Sequence, residues 1–342
     1  NWEPRIWKNK YPVISGVQNL RELKSAALEL HKKENFDLSH CRSHIPVMVG
    51  RMLKQKCNVP FVFDARGFWA DERVDGQLWN LKNPIYNWVY NYTKKQEKKA
   101  CIEAKEIISL THEGKKCMLE SGFGLSPVSD KITVIPCCVD TEKFNPELYD
   151  YVDKDQIRNE LNIGLDQFVL GYVGSVGTWY LLDEMLLFFK SQLEKQPDAL
   201  FVFFTGQPKQ MILEAAEKID LPKTAFLIKK LPFDEVPRYM KIFNKSIFFI
   251  RPCFSKKASS PIKQGELMAM GIPVICNAGV GDSDAIVEKY NSGIVIKELT
   301  TSAYEQVEMT EEKWDSKEIR NGALDYFDLD KGIEAYFKAY NR

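Results

Sequence analysis

The sequence predicts an α/β protein made of two doubly wound domains. Three observations carry this. The chain has 342 residues, enough for two packed domains. Short apolar runs alternate with helical patterns, as in parallel strands joined by right-handed helical crossovers. The alternation breaks in a polar stretch near the middle and then restarts. The 47 basic and 47 acidic side chains cancel, which argues against a nucleic-acid backbone as the main ligand. Eight cysteines form no CxxC, so neither a zinc site nor a disulfide framework is expected, and free thiols point to a reducing compartment. No apolar run approaches the roughly 18 residues needed to span a bilayer, and no signal-peptide pattern opens the chain. A cytoplasmic protein is expected, with the inner face of a membrane as one place it works.

The first domain is expected over 1–155. Its opening, 1–12, carries Trp2, Arg5, Trp7 and Lys8 without a strand pattern, so the domain reads as incomplete at its start, lacking a first βαβ portion. A helix follows over 20–32. Strands are expected over 36–40, 60–64, 106–111 and 132–137, with helices over 45–55, 84–104 and 112–121. Sheets of this kind bind ligands beyond the carboxyl ends of their strands. Two loops lie there: His40-Cys41-Arg42-Ser43-His44, and the charged, aromatic run from Asp64 through Arg66, Gly67 and Trp69 to Arg73. Pairing of Asp64 with Arg66 or Arg42 is the plainer alternative to ligand contact. The helix 84–104 reads as a core helix through Ile85, Trp88, Val89 and Tyr92. Its Lys94, Lys95, Lys98 and Lys99 make peripheral contact with a membrane the alternative.

Residues 139–163 are rich in Asp, Pro, Asn and Tyr and read as a linker, with the boundary near 155. The second domain, 156–316, is expected to have six strands, over 168–173, 200–205, 225–229, 246–250, 273–276 and 293–296, with helices between. The remainder, 317–342, is helical, and its Tyr336, Phe337 and Tyr340 suit packing back on the first domain.

The most informative stretch is Ser-Ser-Pro-Ile-Lys-Gln-Gly-Glu-Leu-Met-Ala-Met-Gly-Ile-Pro-Val-Ile-Cys, from Ser259 to Cys276. Ser260 suits an N-cap, Pro261 the first helical position, and Gly271 the end of a short helix. Lys263 then falls in the first turn, where unpaired N–H groups and the helix dipole already make a positive end. A cation there makes sense opposite an anion. Glu266, three residues on, shares that face and suits a neighbouring hydroxyl, so a phosphate joined to a sugar fits both. A solvated Lys263–Glu266 surface pair is the plain alternative. Gly174-Ser175-Val176-Gly177-Thr178 follows the first strand of this domain, and its glycines let backbone amides approach a ligand. Arg251, at the end of strand 246–250, is expected to converge with that loop and Lys263 on one crevice, giving two cations for a diphosphate.

Glu266-Leu-Met-Ala-Met-Gly-Ile-Pro-Val-Ile275 resembles the second half of the E-x7-E motif of family 4 (group 1) glycosyltransferases, which have the GT-B fold of two Rossmann-like domains. Ser260-Pro-Ile-Lys-Gln-Gly-Glu266 is similar to a subset of that family, and Val134-Ile-Pro-Cys-Cys-Val-Asp140 resembles its segment leading to the linker. The likeness runs from about residue 36 to the carboxyl end. It implies retaining transfer of a sugar from a nucleotide diphosphate sugar to an acceptor hydroxyl, on a saccharide or a lipid-linked carrier, in bacterial-type surface polysaccharide or glycolipid synthesis. By the same likeness Lys263 and Arg251 neutralise the leaving diphosphate, with neither cofactor nor metal. Glu266 holds the ribose, and Ser260 and Gly177 offer donors to phosphate, beside Gly174, Ser175 and Thr178.

The sequence departs from the family at three places. Ala258 stands where the first Glu of E-x7-E belongs, so its contact to the transferred sugar is either absent or supplied by Ser259. Gly174-Ser175 and Gly177-Thr178 replace a pair that usually brings an Arg and a Lys. Asp64 to Arg66 stand where a His is common, making Asp64, Arg66, His44 and Arg42 the candidates for sugar or acceptor contacts. A nucleotide-sugar 2-epimerase of related architecture and a degenerate, non-catalytic nucleotide-sugar binder are the alternatives.

Overall fold

Two parallel sheets carry the fold. The structure, a computed structural model, describes residues 12–149, 153–310 and 313–342. The opening up to residue 11, part of the polar stretch (150–152) and residues 311–312 lie outside the described residues. The chain divides into one unit of Asn1–Ile135 with Glu334–Arg342 and another of Pro136–Ile333.

The first unit runs α1 (Pro12–Glu34), β1 (Ser39–Arg42), α2 (His44–Cys57), β2 (Phe61–Asp64), α3 (Trp69–Asp75), α4 (Pro84–Glu103), β3 (Glu106–Ser109), α5 (His112–Glu120) and β4 (Ile132–Val134). The sheet is parallel in the order β1-β2-β3-β4. β2 and β3 are buried at every position, as strands covered by helices on both faces must be. β1 begins later than the expected 36–40, because Ser39 to Arg42 pair with Phe61 to Asp64 while Phe36 packs on Met52, Leu53 and Val59. His40, Cys41 and Arg42 are therefore strand residues, and the loop expected there shrinks to Ser43.

The core face of α4 is not the one expected. Thr93, Glu97, Ala100 and Cys101 point inward, whereas Ile85, Trp88 and Tyr92 are exposed, Trp88 at 62%. The reason is a buried polar cluster. Glu97 accepts a hydrogen bond from His44 Nε2 at 2.5 Å and pairs with Lys94, which also holds Asp71 at 2.7 Å. Burial pushes the Glu97 carboxyl up, but the bond from His44 and the Lys94 charge outweigh it and hold the group below the usual range.

The second unit runs α6 (Lys154–Glu160), β5 (Val169–Val173), α7 (Leu182–Leu193), β6 (Leu200–Phe204), α8 (Lys209–Glu217), β7 (Phe226–Lys229), α9 (Val236–Met240), β8 (Lys245–Phe248), α10 (Ile262–Ala269), β9 (Val274–Asn277), α11 (Ser283–Lys289), β10 (Gly293–Ile296), α12 (Thr301–Glu305) and α13 (Ser316–Tyr326). The last helix, α14 (Leu329–Asn341), continues into the residues counted with the first unit. The six strands are parallel in the order β10-β9-β8-β5-β6-β7. From β5 the chain winds outward to β7, then returns to β8, so the switch point lies between β5 and β8. The division at Ile135 precedes the boundary expected near 155. Val139, Phe144, Ile157, Leu161 and Ile163 are buried in the core of the second unit, so most of the expected linker belongs to that unit.

Candidate functional site

The switch point is where a doubly wound sheet leaves a crevice beyond its strand ends. The second unit has there a cavity of about 580 Å³, lined by Gly174 and Ser175 after β5, Thr205 to Gln207 after β6, Phe233, and Lys263 and Glu266 of α10. The helix enters through Pro261, whose φ of −71° and ψ of 113° make it the N-cap, and no side chain caps the first turn. Ser260 is not the cap expected from the sequence; its Oγ accepts the backbone N–H of Cys137 at 3.1 Å. The amino end of α10 thus keeps its positive character beside the cavity.

Lys263 is 6% exposed and meets no carboxylate at ion-pair distance among the described residues. Its Nζ donates to Tyr172 Oη at 2.8 Å and lies 3.4 Å from the ring centre of Tyr180. Tyr172 Oη in turn donates to the Ser175 carbonyl at 2.5 Å, linking the lysine to the loop after β5. Gly174 has φ +106°, and a Cβ there would lie 3.6 Å from Nζ, so glycine keeps the space over the ammonium open. Burial pushes Lys263 well below the usual lysine range, opposed only by the charge of Glu266. Glu266 is itself pushed up by burial, with Lys263 and Lys143 opposing. Burial, with Cys137 and Glu266 nearby, raises the Tyr180 phenol to about 12. Burial beside the cavity thus disfavours the ammonium form of Lys263, and a negative charge placed next to Nζ would favour it.

Lys263, Glu266, Gly174 and Ser175 therefore meet, and Arg251 does not join them. Arg251 is exposed and lines a neighbouring cavity of about 430 Å³ with Gly177 and Thr178; Tyr180 borders both. The Arg251 backbone N–H bonds to the Trp179 carbonyl at 2.9 Å. Ser259 is half-buried at the end of a 3₁₀ turn, Phe254–Ala258, and Ala258 is buried. Neither Ser259 nor Ser260 lines the first cavity. The sequence reading missed Tyr172, Tyr180, Gln207 and Phe233. Tyrosine in a strand pattern looks like core, and nothing local marks Phe233 as exposed.

In the first unit, the candidates fall into two surroundings. His44 opens α2 at 1% exposure, stacked on Trp69 and bonded to Glu97, so it organises a buried cluster rather than presenting itself to a ligand. Asp64 is also buried, accepting from Tyr336 Oη at 3.1 Å with His40 Nε2 at 3.4 Å; among the described residues its Oδ1 has no hydrogen-bond partner. Burial pushes the Tyr336 phenol up, and Asp64 and Arg66 both act on it, the first adding to the rise and the second opposing it. Arg66 sits at φ +52°, half-buried, and Arg42 is exposed at the end of β1.

Two parallel α/β sheets of this kind are those of GT-B glycosyltransferases. Residues 153–317 match the family described as glycosyl transferases group 1, and residues 2–143 match glycosyltransferase family 4. The chain belongs to the family 4, or group 1, glycosyltransferases. Similar solved structures include sucrose-phosphate synthase from Thermosynechococcus elongatus, with TM-score 0.71, 16% identity, and 97% of this chain and 80% of that one covered. A glycosyltransferase from Rickettsia africae has TM-score 0.71, 15% identity, and coverage of 98% and 83%. Anabaena HepE in complex with UDP and glucose has TM-score 0.66, 12% identity, and coverage of 97% and 84%. Among curated proteins, the Escherichia coli UDP-Gal:alpha-D-GlcNAc-diphosphoundecaprenol alpha-1,3-galactosyltransferase is 24% identical over 330 residues, covering 94% of this chain and 79% of its own.

Proposed function

We propose that the protein is a retaining, metal-independent glycosyltransferase that moves a hexose from a nucleotide diphosphate sugar to a hydroxyl of a lipid-linked saccharide. The observation that carries this reading is Lys263, buried at an uncapped helix end beside a cavity and without a carboxylate at ion-pair distance among the described residues. In this reading the diphosphate lies against Lys263 and the amino end of α10, with the Gly174–Ser175 backbone beside it. Charge grows on the departing phosphate in the transition state, and a preorganised cation in a dry site stabilises it more than water does. Lysine and helix supply the positive charge that a metal supplies elsewhere. Glu266 receives the ribose hydroxyls, and the exposed ring of Phe233 offers the base an apolar wall. Arg251, Gly177 and Thr178, one cavity over, serve the sugar end of the donor. Arg66 and Arg42 remain the first-unit candidates for acceptor contacts, with Asp64 holding Tyr336 in place. A UDP-hexose is the first donor to try, given the donor in the name of the Escherichia coli relative and the UDP in the Anabaena complex. Bacterial surface polysaccharide or glycolipid synthesis is the setting, on the cytoplasmic side, where the free cysteines stay reduced.

The test is to incubate the protein with UDP-, GDP- and ADP-hexoses, with and without a polyprenyl-diphosphate sugar acceptor. Nucleoside diphosphate release and the anomeric configuration of the product are then followed. Acceptor-dependent release with configuration kept is expected. An inverted product removes the retaining mechanism, and an epimerised donor formed without acceptor overturns the reading. Tight binding without turnover points instead to the degenerate binder that Ala258 suggests. Lys263→Ala and Glu266→Ala should each lower kcat/KM about tenfold or more, each removing a charge-assisted contact worth ~1.5–3 kcal/mol.

A further inference from the structure

We infer that the outward face of α4 is a docking surface for an anionic lipid bilayer. Ile85, Trp88, Tyr92, Lys95, Lys99 and Ile102 recur at helical spacing along one side of this helix, opposite the buried face of Thr93, Glu97, Ala100 and Cys101. Ile85 is 59% exposed, Trp88 62% and Tyr92 42%, and the rings of Trp88 and Tyr92 stack at 5.7 Å. Leu78, at 59%, extends the apolar surface into the preceding loop. Aromatic rings held outward at this exposure, next to aliphatic ones, cost free energy in water and are at home at the headgroup level of a membrane.

Charge selects the occupant. From Gly76 to Gln96 the sequence contains no carboxylate, and Glu97, the first one after it, is buried against His44 and Lys94. Lys82, Lys95, Lys98 and Lys99 are exposed, and none of them forms an ion pair among the described residues. The face is therefore apolar and purely cationic, which is the complement of lipid tails under anionic headgroups and not of a second copy bearing the same lysines. Among the described residues no helix is long and apolar enough to cross a membrane, so the helix would lie on the surface rather than span it. This face belongs wholly to the first unit, whereas the cavity beside Lys263 belongs to the second.

The experiment is flotation of the intact protein with phosphatidylcholine vesicles, with and without phosphatidylglycerol. Co-flotation only with the anionic vesicles, weakening as salt screens the lysines, is expected. Trp88→Ser with Tyr92→Ser, and separately Lys95→Glu with Lys98→Glu and Lys99→Glu, should each lower partitioning about tenfold or more. Both sets should keep the wild-type melting temperature and donor binding, since the side chains touch solvent. Absence of flotation, or flotation unchanged in both variants, overturns the inference. So does a wild-type dimer in sedimentation that Trp88→Ser dissociates, which would give the face to a second copy.

Discussion

At the scale of one residue, the pH behaviour of Lys263 follows from its surroundings, and on the proposed reading it governs donor binding. Its folded pKa lies below the unfolded value because burial disfavours the ammonium. Between those two values the unfolded chain binds more protons than the native one, so this group makes stability rise with pH across that window. An anion bound beside Nζ restores the charge, so binding takes up a proton and UDP affinity falls as pH rises through the free-state pKa. Calorimetry in two buffers of different ionisation enthalpy should register this uptake in the wild type. Lys263→Met should remove it and weaken UDP about tenfold or more. Equal apparent enthalpies in both buffers across the alkaline range would defeat the account. The lysine was legible in the sequence because a cation in a first helical turn is anomalous. Tyr172 and Tyr180 were not, because only the folded positions of β5 and the loop after it bring their rings around Nζ.

At the scale of elements, the position of α10 depends on close approach at Gly265. A Cβ there would stand 2.7 Å from Val139 and 2.9 Å from Phe327, both buried, so the helix backbone lies directly on these side chains. Gly265→Val should push α10 off its seat and cost about 1–3 kcal/mol, as overpacking does. Because Lys263 and Glu266 ride on the same helix, donor binding should weaken along with stability. A variant of full stability and affinity would show that the seat does not position the site. Arg158 does comparable work at α6. It is 1% exposed and donates to the carbonyls of Gly164 and Gln167 at 2.7 Å each, so Arg158→Leu should cost about 2–4 kcal/mol by stranding them, measured by denaturant unfolding. The alternation of strands and helices made most elements legible. Face assignment on α4 failed because hydropathy cannot foresee a carboxylate turned inward by His44 and Lys94.

For the whole molecule, the carboxyl end is part of the first unit's structure although the chain reaches it after finishing the second. The domain boundary could not be read from composition, because Val139 and Phe144 look like linker residues until the core that takes them is in place. The tail itself was legible as helix, and of the three side chains expected to pack back, Tyr336 and Tyr340 make contacts while Phe337 is 62% exposed. Tyr336 donates to buried Asp64, Lys105 donates to the Tyr340 carbonyl at 2.9 Å, and Arg342 lies 3.2 Å from buried Glu106. Ending the chain after Ile333 removes one partner from each of two buried carboxylates. Among the described residues Asp64 then keeps His40 at 3.4 Å, and Glu106 keeps the hydroxyl of Thr133 at 2.5 Å. A buried carboxylate short of partners costs ~1–3 kcal/mol, so the first unit should lose about 2–4 kcal/mol in the truncated chain. The cavity beside Lys263 is built wholly from residues of the second unit, so on the proposed reading UDP affinity should change little. Hydrogen exchange read unit by unit, beside UDP calorimetry, separates the two effects. Faster exchange confined to β2 and β3 is expected, and uniform acceleration across both units would show that the tail stabilises the molecule as a single cooperative body.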